Sequence, residues 1–198
     1  MRNQLFFLLM SLAGISLSAC HLANSVPPAM RASEAEETRA QEILGQAREA
    51  EDPAHAPVLY RAYLALRPRD FHAREDMADH LFGAGNYPLS LAEYLKILEI
   101  TATDRPPPYE YGELDRMRHW GQIGHCYLQL NQGRKALVYF RKVYELTENA
   151  YSHYNLGRVY LQLRDYPRAR HHLEHAKARG LNSELLQEAY DKLPPHGY

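Results

Sequence analysis

The chain has 198 residues, enough for one domain together with a targeting segment. Its apolar fraction of 45% and charged fraction of 24% describe a chain that folds around a core rather than a disordered one. With 23 Lys and Arg against 24 Asp and Glu, the formal net charge is −1, which provides no cationic field for a phosphate backbone and argues against a nucleic-acid partner.

The first element is a leader. Arg2 precedes an almost wholly apolar run from Leu5 to Ile15, too short to span a bilayer and of the length of a signal-peptide core. It closes on Leu17-Ser18-Ala19-Cys20, which resembles a bacterial lipobox. The resemblance implies that residues 1–19 are removed and that Cys20 carries acyl groups on its sulfur and its amine. Several acyl chains hold a protein stably where one is marginal. Residue 21 is His rather than Asp, and by the same resemblance this directs the chain to the outer membrane, facing the periplasm. Residues 20–31, with Ser25, Pro27 and Pro28 and no helical period, read as the lipidated cysteine and its tether. The second cysteine, Cys126, then has no partner for an internal disulfide and reads as a small buried apolar thiol.

From Ala32 to Tyr198 the period is helical. Trp120, Ile123, Gly124 and Tyr127 share one helix face, a break follows at Asn131-Gln132-Gly133, and Ala136 and Phe140 lie on a second helix. This pattern is similar to the tetratricopeptide repeat, in which small residues let two helices approach while aromatics fill the flanks. Gly124 against Ala136 is the expected point of closest approach. The template recurs 33 residues later, with Leu156, Gly157, Tyr160, Tyr166, Ala169, Leu173 and Ala176. Upstream it is looser: Met77, Ala78, Leu81, Tyr87, Ser90, Tyr94 and Ile97, then Ile43, Leu44, Ala47, Ala56, Tyr60 and Tyr63.

The resemblance implies an all-α solenoid of about four helix-turn-helix repeats, at about 37–70, 71–104, 117–149 and 150–183. Ser183 caps a last helix over 184–193, stopped by Pro194-Pro195. Residues 105–116 are inserted between the second and third repeats, and Pro106 to Pro108 cannot extend a helix. Two readings stay open for this insertion: a loop that touches a partner through Tyr109 and Tyr111, or an extension packed on the array.

Signals for chemistry are few. His171-His172-Leu173-Glu174-His175 has the form His-x-x-Glu-His of an inverse zincin. The repeat register turns Leu173 inward and the three histidines outward, and only 23 residues follow His175, so the match reads as coincidence and no metal, cofactor or enzymatic activity is expected; a zinc hydrolase using the His171–His175 cluster is the rival reading of a different class. What remains is the concave face, which in this family is lined by the first helix of each repeat. Position by position, the last two repeats present Arg118, His125, Tyr151, Tyr154, Asn155 and Arg158, and the first two present Gln41, Glu42, Glu49, His72, Glu75, Asp76, Asp79 and Phe82. One end of the groove is thus read as basic and aromatic, the other as acidic. The layout is similar to the lipoproteins of type IV and Tad pilus assembly, pilotin-like factors. It implies an outer-membrane adaptor that binds envelope proteins or peptides through this groove and the membrane through lipid. Accessory lipoproteins of β-barrel assembly or of peptidoglycan-synthesis control share the architecture.

Overall fold

A computed structural model describes residues 28–52, 54–102 and 111–195, and these form nine α-helices. They are α1 (Pro28–Glu49), α2 (Ala56–Leu66), α3 (Phe71–Gly83), α4 (Tyr87–Thr101), α5 (Glu113–Gln129), α6 (Gly133–Leu146), α7 (Ala150–Gln162), α8 (Tyr166–Ala178) and α9 (Glu184–Asp191). Two compact units divide the chain, Met1–Glu42 and Ile43–Tyr198. In the first unit the described residues are the opening turns of α1, held by local bonds such as Gln41 Nε2 to Glu37 Oε1. The leader and Cys20 lie outside the described residues.

Helix α1 starts at Pro28, inside the stretch read as tether. Proline lacks only an N–H that the first helical turn does not use, and its fixed φ suits that turn, so Pro28 opens the helix instead of preventing it. Similarly, residues 113–116 of the expected insertion are helical, forming the first turn of α5, with Gly112 N–H donating to Asp115 Oδ2 at 3.0 Å.

The second unit is a tetratricopeptide-type solenoid. Consecutive helices pair as α3 with α4, α5 with α6 and α7 with α8, and neighbouring pairs stack. The turn inside each pair is the same device three times. Gly85, Asn131 and Arg164 occupy equivalent places with φ of 76°, 56° and 59°. The next residue's N–H reaches back to the helix: Asn86 to Leu81 O, Gln132 to Tyr127 O and Asp165 to Tyr160 O, at 2.8–2.9 Å. These left-handed residues and six-to-one bonds satisfy carbonyls that a helix end leaves free. The following helices start on side-chain caps where the sequence offers them: Asp70 to Ala73 N–H, Asn149 to Ser152 N–H, Asp165 to Arg168 N–H and Ser183 to Leu186 N–H.

The periodic residues form the core. Phe71, Ala78, Tyr94, Ile97, Ile123 and Cys126 bury one cluster, and Leu128, Ala136, Phe140, Leu156, Val159, Tyr160 and Ala169 the next. Cys126 is buried as a free thiol, with Ser90 Oγ at 3.5 Å. Ser90 stands where the template has Ala, and its buried hydroxyl is satisfied by the Ala78 carbonyl at 2.9 Å. The close approach in the third repeat is between Gly124 and Phe140 rather than Ala136: a Cβ on Gly124 would lie 2.8 Å from the ring. In the fourth repeat the equivalent pair is Gly157 and Leu173.

Candidate partner-binding surface

The first helix of each pair carries the residues expected to line the groove, and the structure divides them among three environments. Arg118, Tyr151 and Asn155 come together in a cleft of about 590 Å³ between α5, the end of α6 and α7. Leu114, Val143, Thr147 and Asn149 complete its walls. Leu114 and Tyr151 are 76% and 67% exposed, the most exposed large apolar side chains among the described residues. Sequence reasoning missed Leu114, whose signal was an isolated leucine in a charged helical start, Glu113-Leu114-Asp115-Arg116.

Arg118 does not bring free positive charge to this cleft. Its guanidinium pairs with Glu75 at 2.9 Å and Asp115 at 3.1 Å. Glu75 is itself buried, and its carboxylate lies 3.3 Å from Nε2 of the fully buried His119. On the other side, His119 Nδ1 is 3.0 Å from the Tyr111 hydroxyl and the two rings stack. Tyr111 also meets Phe71 edge-on. The Tyr111 end of the insertion therefore packs on the array, because its ring finds two buried aromatic neighbours and its hydroxyl a buried imidazole nitrogen, and it is not a free partner contact. Tyr109 lies outside the described residues.

The end read as acidic is likewise engaged internally. Asp76 pairs with Arg48 at 2.9 Å, and Asp79 accepts from the Tyr94 hydroxyl and from Gln122. Burial, followed by the Asp79 contact, pushes the Tyr94 phenol far above its usual range. A cleft of about 550 Å³ at this end is lined by Arg48, Tyr60, Asp76, Asp79 and His80.

Tyr154, Arg158 and His125 depart from the expected exposed surface. Tyr154 is only 9% exposed and packs with Leu173, Ala176, Leu181, Leu186 and Ala189. Its hydroxyl donates to Leu185 O of α9 at 3.3 Å, and the Arg158 guanidinium sits 5.6 Å from its ring centroid. The terminal helix has covered the face that the repeat register leaves open. Tyr154 is therefore part of the packing that holds α9 rather than an open contact on the concave face. Arg158 lines a cleft of about 490 Å³ with Gln129, Glu188 and Lys192. His125 packs edge-on against Phe140, and burial, followed by the Arg158 charge, lowers its pKa to about 4.

The histidines of α8 do not all face solvent either. His171 is exposed, but His172 and His175 are half-buried against His153, which is 2% exposed. His153 Nδ1 lies 3.0 Å from His172 Nδ1, its Nε2 lies 3.2 Å from Glu148, and its ring stacks on His175. His172 also stacks on Tyr160, and burial, followed by its imidazole neighbours, lowers its pKa to about 4. His153 holds the place in this repeat that Trp120 holds in the preceding one, and its polar ring is accommodated by these partners. Among the described residues no group of three or more His, Cys, Asp or Glu is placed to hold a metal ion, and no helix is long and apolar enough to cross a membrane.

Residues 118–149 and 150–178 match the tetratricopeptide repeat family profile. Among solved structures the chain is similar to MamA, residues 41 to the end, from Desulfovibrio magneticus RS-1, with 15% identity, 73% of this chain and 76% of that one covered, and a TM-score of 0.59. A second MamA structure gives 15% identity, 79% and 82% coverage and 0.61. Cut9, from the APC/C hetero-tetramer Cut9–Hcn1, gives 17% identity and 0.62, with 77% of this chain on 29% of Cut9. No curated protein matches the chain. The likenesses agree on the solenoid fold, and residues 118–178 are tetratricopeptide repeats.

Proposed function

We propose that the protein is an adaptor lipoprotein. Lipid on Cys20 holds it to the inner leaflet of the outer membrane, and its repeats grip a segment of another envelope protein during assembly of a pilus or secretion machine. The observation that carries the binding half is the cleft of Leu114, Tyr151 and Asn155. Solenoids use the extended surface of their stacked first helices for binding, and here two large apolar side chains stand exposed at that surface beside unburied amides. Because Glu75 and Asp115 balance Arg118, the surface suits an uncharged, extended segment with an apolar anchor rather than an acidic tail. The anchoring half is supported by the Leu-Ser-Ala-Cys end of the apolar leader. The type IV and Tad pilus lipoproteins, similar in layout, suggest the process.

Two measurements test the halves separately. Cys20→Ala removes the only thiol the leader offers, so incorporation of a fatty-acid probe is lost; label retained in the mutant refutes the anchor. The double mutant Leu114→Ala/Tyr151→Ala keeps the wild-type circular dichroism and melting point while weakening capture of envelope partners. Each truncation costs about 1–2 kcal/mol if central to the contact. Unchanged affinity with unchanged folding refutes the cleft.

A further inference from the structure

The outer face of α6 carries an arrangement that the groove does not use. Arg134, Lys135, Val138, Arg141 and Lys142 follow one another at i, i+1, i+4, i+7 and i+8, which is one stripe of a helix, and all five are exposed. Several cations on other helices have carboxylate partners: Arg48 with Asp76, Arg74 with Glu93, Lys96 with Glu99, Arg118 with Glu75, Arg168 with Asp165, and Arg179 with Glu148. Among the described residues none of the four cations of α6 pairs with a carboxylate.

Three of the four meet aromatic side chains instead. Lys135 Nζ lies 5.5 Å from the Tyr127 centroid, Lys142 Nζ lies 5.1 Å from that of Trp120 and 5.4 Å from that of Tyr139, and Arg141 donates to the Tyr160 hydroxyl at 3.3 Å. The equivalent helix α4 exposes Pro88, Leu89, Ala92, Lys96 and Glu99, with its one cation already neutralised. Unneutralised Lys and Arg beside half-buried Trp and Tyr, with an exposed valine in their midst, is the chemistry of a surface at a lipid headgroup boundary. There, rings with one polar edge and long cationic side chains are both accommodated.

We infer that the α6 stripe docks on an anionic phospholipid surface, so that the anchored chain lies against its membrane on this face and leaves the cleft of Leu114 and Tyr151 for its protein partner. The inference rests on the proposed anchor at Cys20, because electrostatic attraction reaches only about a Debye length, roughly 8–10 Å at moderate salt, and needs the domain held near the bilayer. Each cation brought to an anionic surface raises the docking equilibrium constant by about fivefold.

The test uses the full lipidated chain reconstituted into vesicles of phosphatidylcholine alone, or of phosphatidylcholine with roughly a third phosphatidylglycerol. Flotation reports anchorage, and acetylation of each lysine, followed by mass spectrometry, reports docking. Lys135 and Lys142 react at least about threefold more slowly on the anionic vesicles, while Lys96 and Lys192 are unchanged. High salt, or Arg134→Glu/Arg141→Glu, restores the rate. Equal rates on both vesicles, with the protein floating on both, overturn the docking. Slowing of the same size on phosphatidylcholine and in detergent assigns the stripe to a contact between copies of the chain, and overturns it too. A chain that does not float overturns the anchor, and the docking with it.

Discussion

Adding one methyl group to each of three glycines separates packing from propensity. On Gly157 a Cβ would lie 2.7 Å from Leu173 Cδ2 and 2.8 Å from its Cγ, with the Ala169 carbonyl at 3.5 Å. Carbon atoms in contact prefer about 3.5–4.0 Å, and Leu173 is fully buried, so the methyl is accommodated only if α8 moves outward. Overpacking of this kind costs about 1–3 kcal/mol. Alanine's better helix propensity returns about 1 kcal/mol, leaving a net loss of about 0–2 kcal/mol for Gly157→Ala. Gly124→Ala meets Phe140 ring atoms at 2.8–2.9 Å and behaves alike. Gly121→Ala, on the same helix as Gly124, meets nothing within 4 Å and gains stability. At about 2–4 °C per kcal/mol for a domain of this size, thermal melts followed by circular dichroism resolve the opposite signs. Combining Gly157→Ala with Leu173→Ala should shrink the cost, since the obstructing side chain is gone. If all three glycine variants shift the melt the same way, the assigned contacts are wrong.

The same domain is expected to lose stability in acid through its buried imidazoles. His172 and His125 have folded pKa values lowered to about 4 from 6.5, so the unfolded chain binds more protons between those values. Their contribution is complete above pH 6.5 and falls as pH drops through 6.5 toward 4. After discounting for partial exposure, the loss by pH 5 is about 2–3 kcal/mol for the pair; urea midpoints equal at pH 5 and neutral pH would contradict it. Tyr154→Ala should cost about 3 kcal/mol and raise hydrogen exchange along α9, whereas Tyr154→Phe loses only the bond to Leu185 O, about 1 kcal/mol. Wild-type exchange in α9 of the alanine variant would show that the ring does not hold the cap. Arg164→Gly should stabilise the α7–α8 turn by up to about 1 kcal/mol, since Arg164 has φ of 59°; an unchanged or lowered melting point counts against that strain.

Burial of repeat residues against their own partner helices was legible in the sequence, because that contact follows from the 3.6-residue period alone. Leu156, Gly157, Tyr160, Ala169, Leu173 and Ala176 are all buried as the register requires. Polar residues satisfied across repeats were not legible. Glu75 and His119 belong to helices separated by α4, and no local period records that Arg118 and Tyr111 arrive to pair with them. For His153 the burial follows from its place in the register, but the Glu148, His172 and His175 that make burial tolerable lie on other elements.

The groove shows where such reasoning stops. Repeat order places Tyr151, Tyr154, Asn155 and Arg158 on one face of α7 and leaves that face without a following repeat to stack on it. An apolar ring in that position must be covered, and α9 is the next element in the chain. Leu186 and Ala189 of α9 pack on Tyr154, which becomes core. Tyr151 and Asn155, nearer the start of α7, escape the cap and face α5 across the open cleft with Leu114 and Arg118. The proposed binding surface therefore lies at the junction of the third and fourth repeats rather than on the face of Tyr154 and Arg158. There both first helices pack against α6 and α8, an arrangement expected to spare a partner the cost of ordering them.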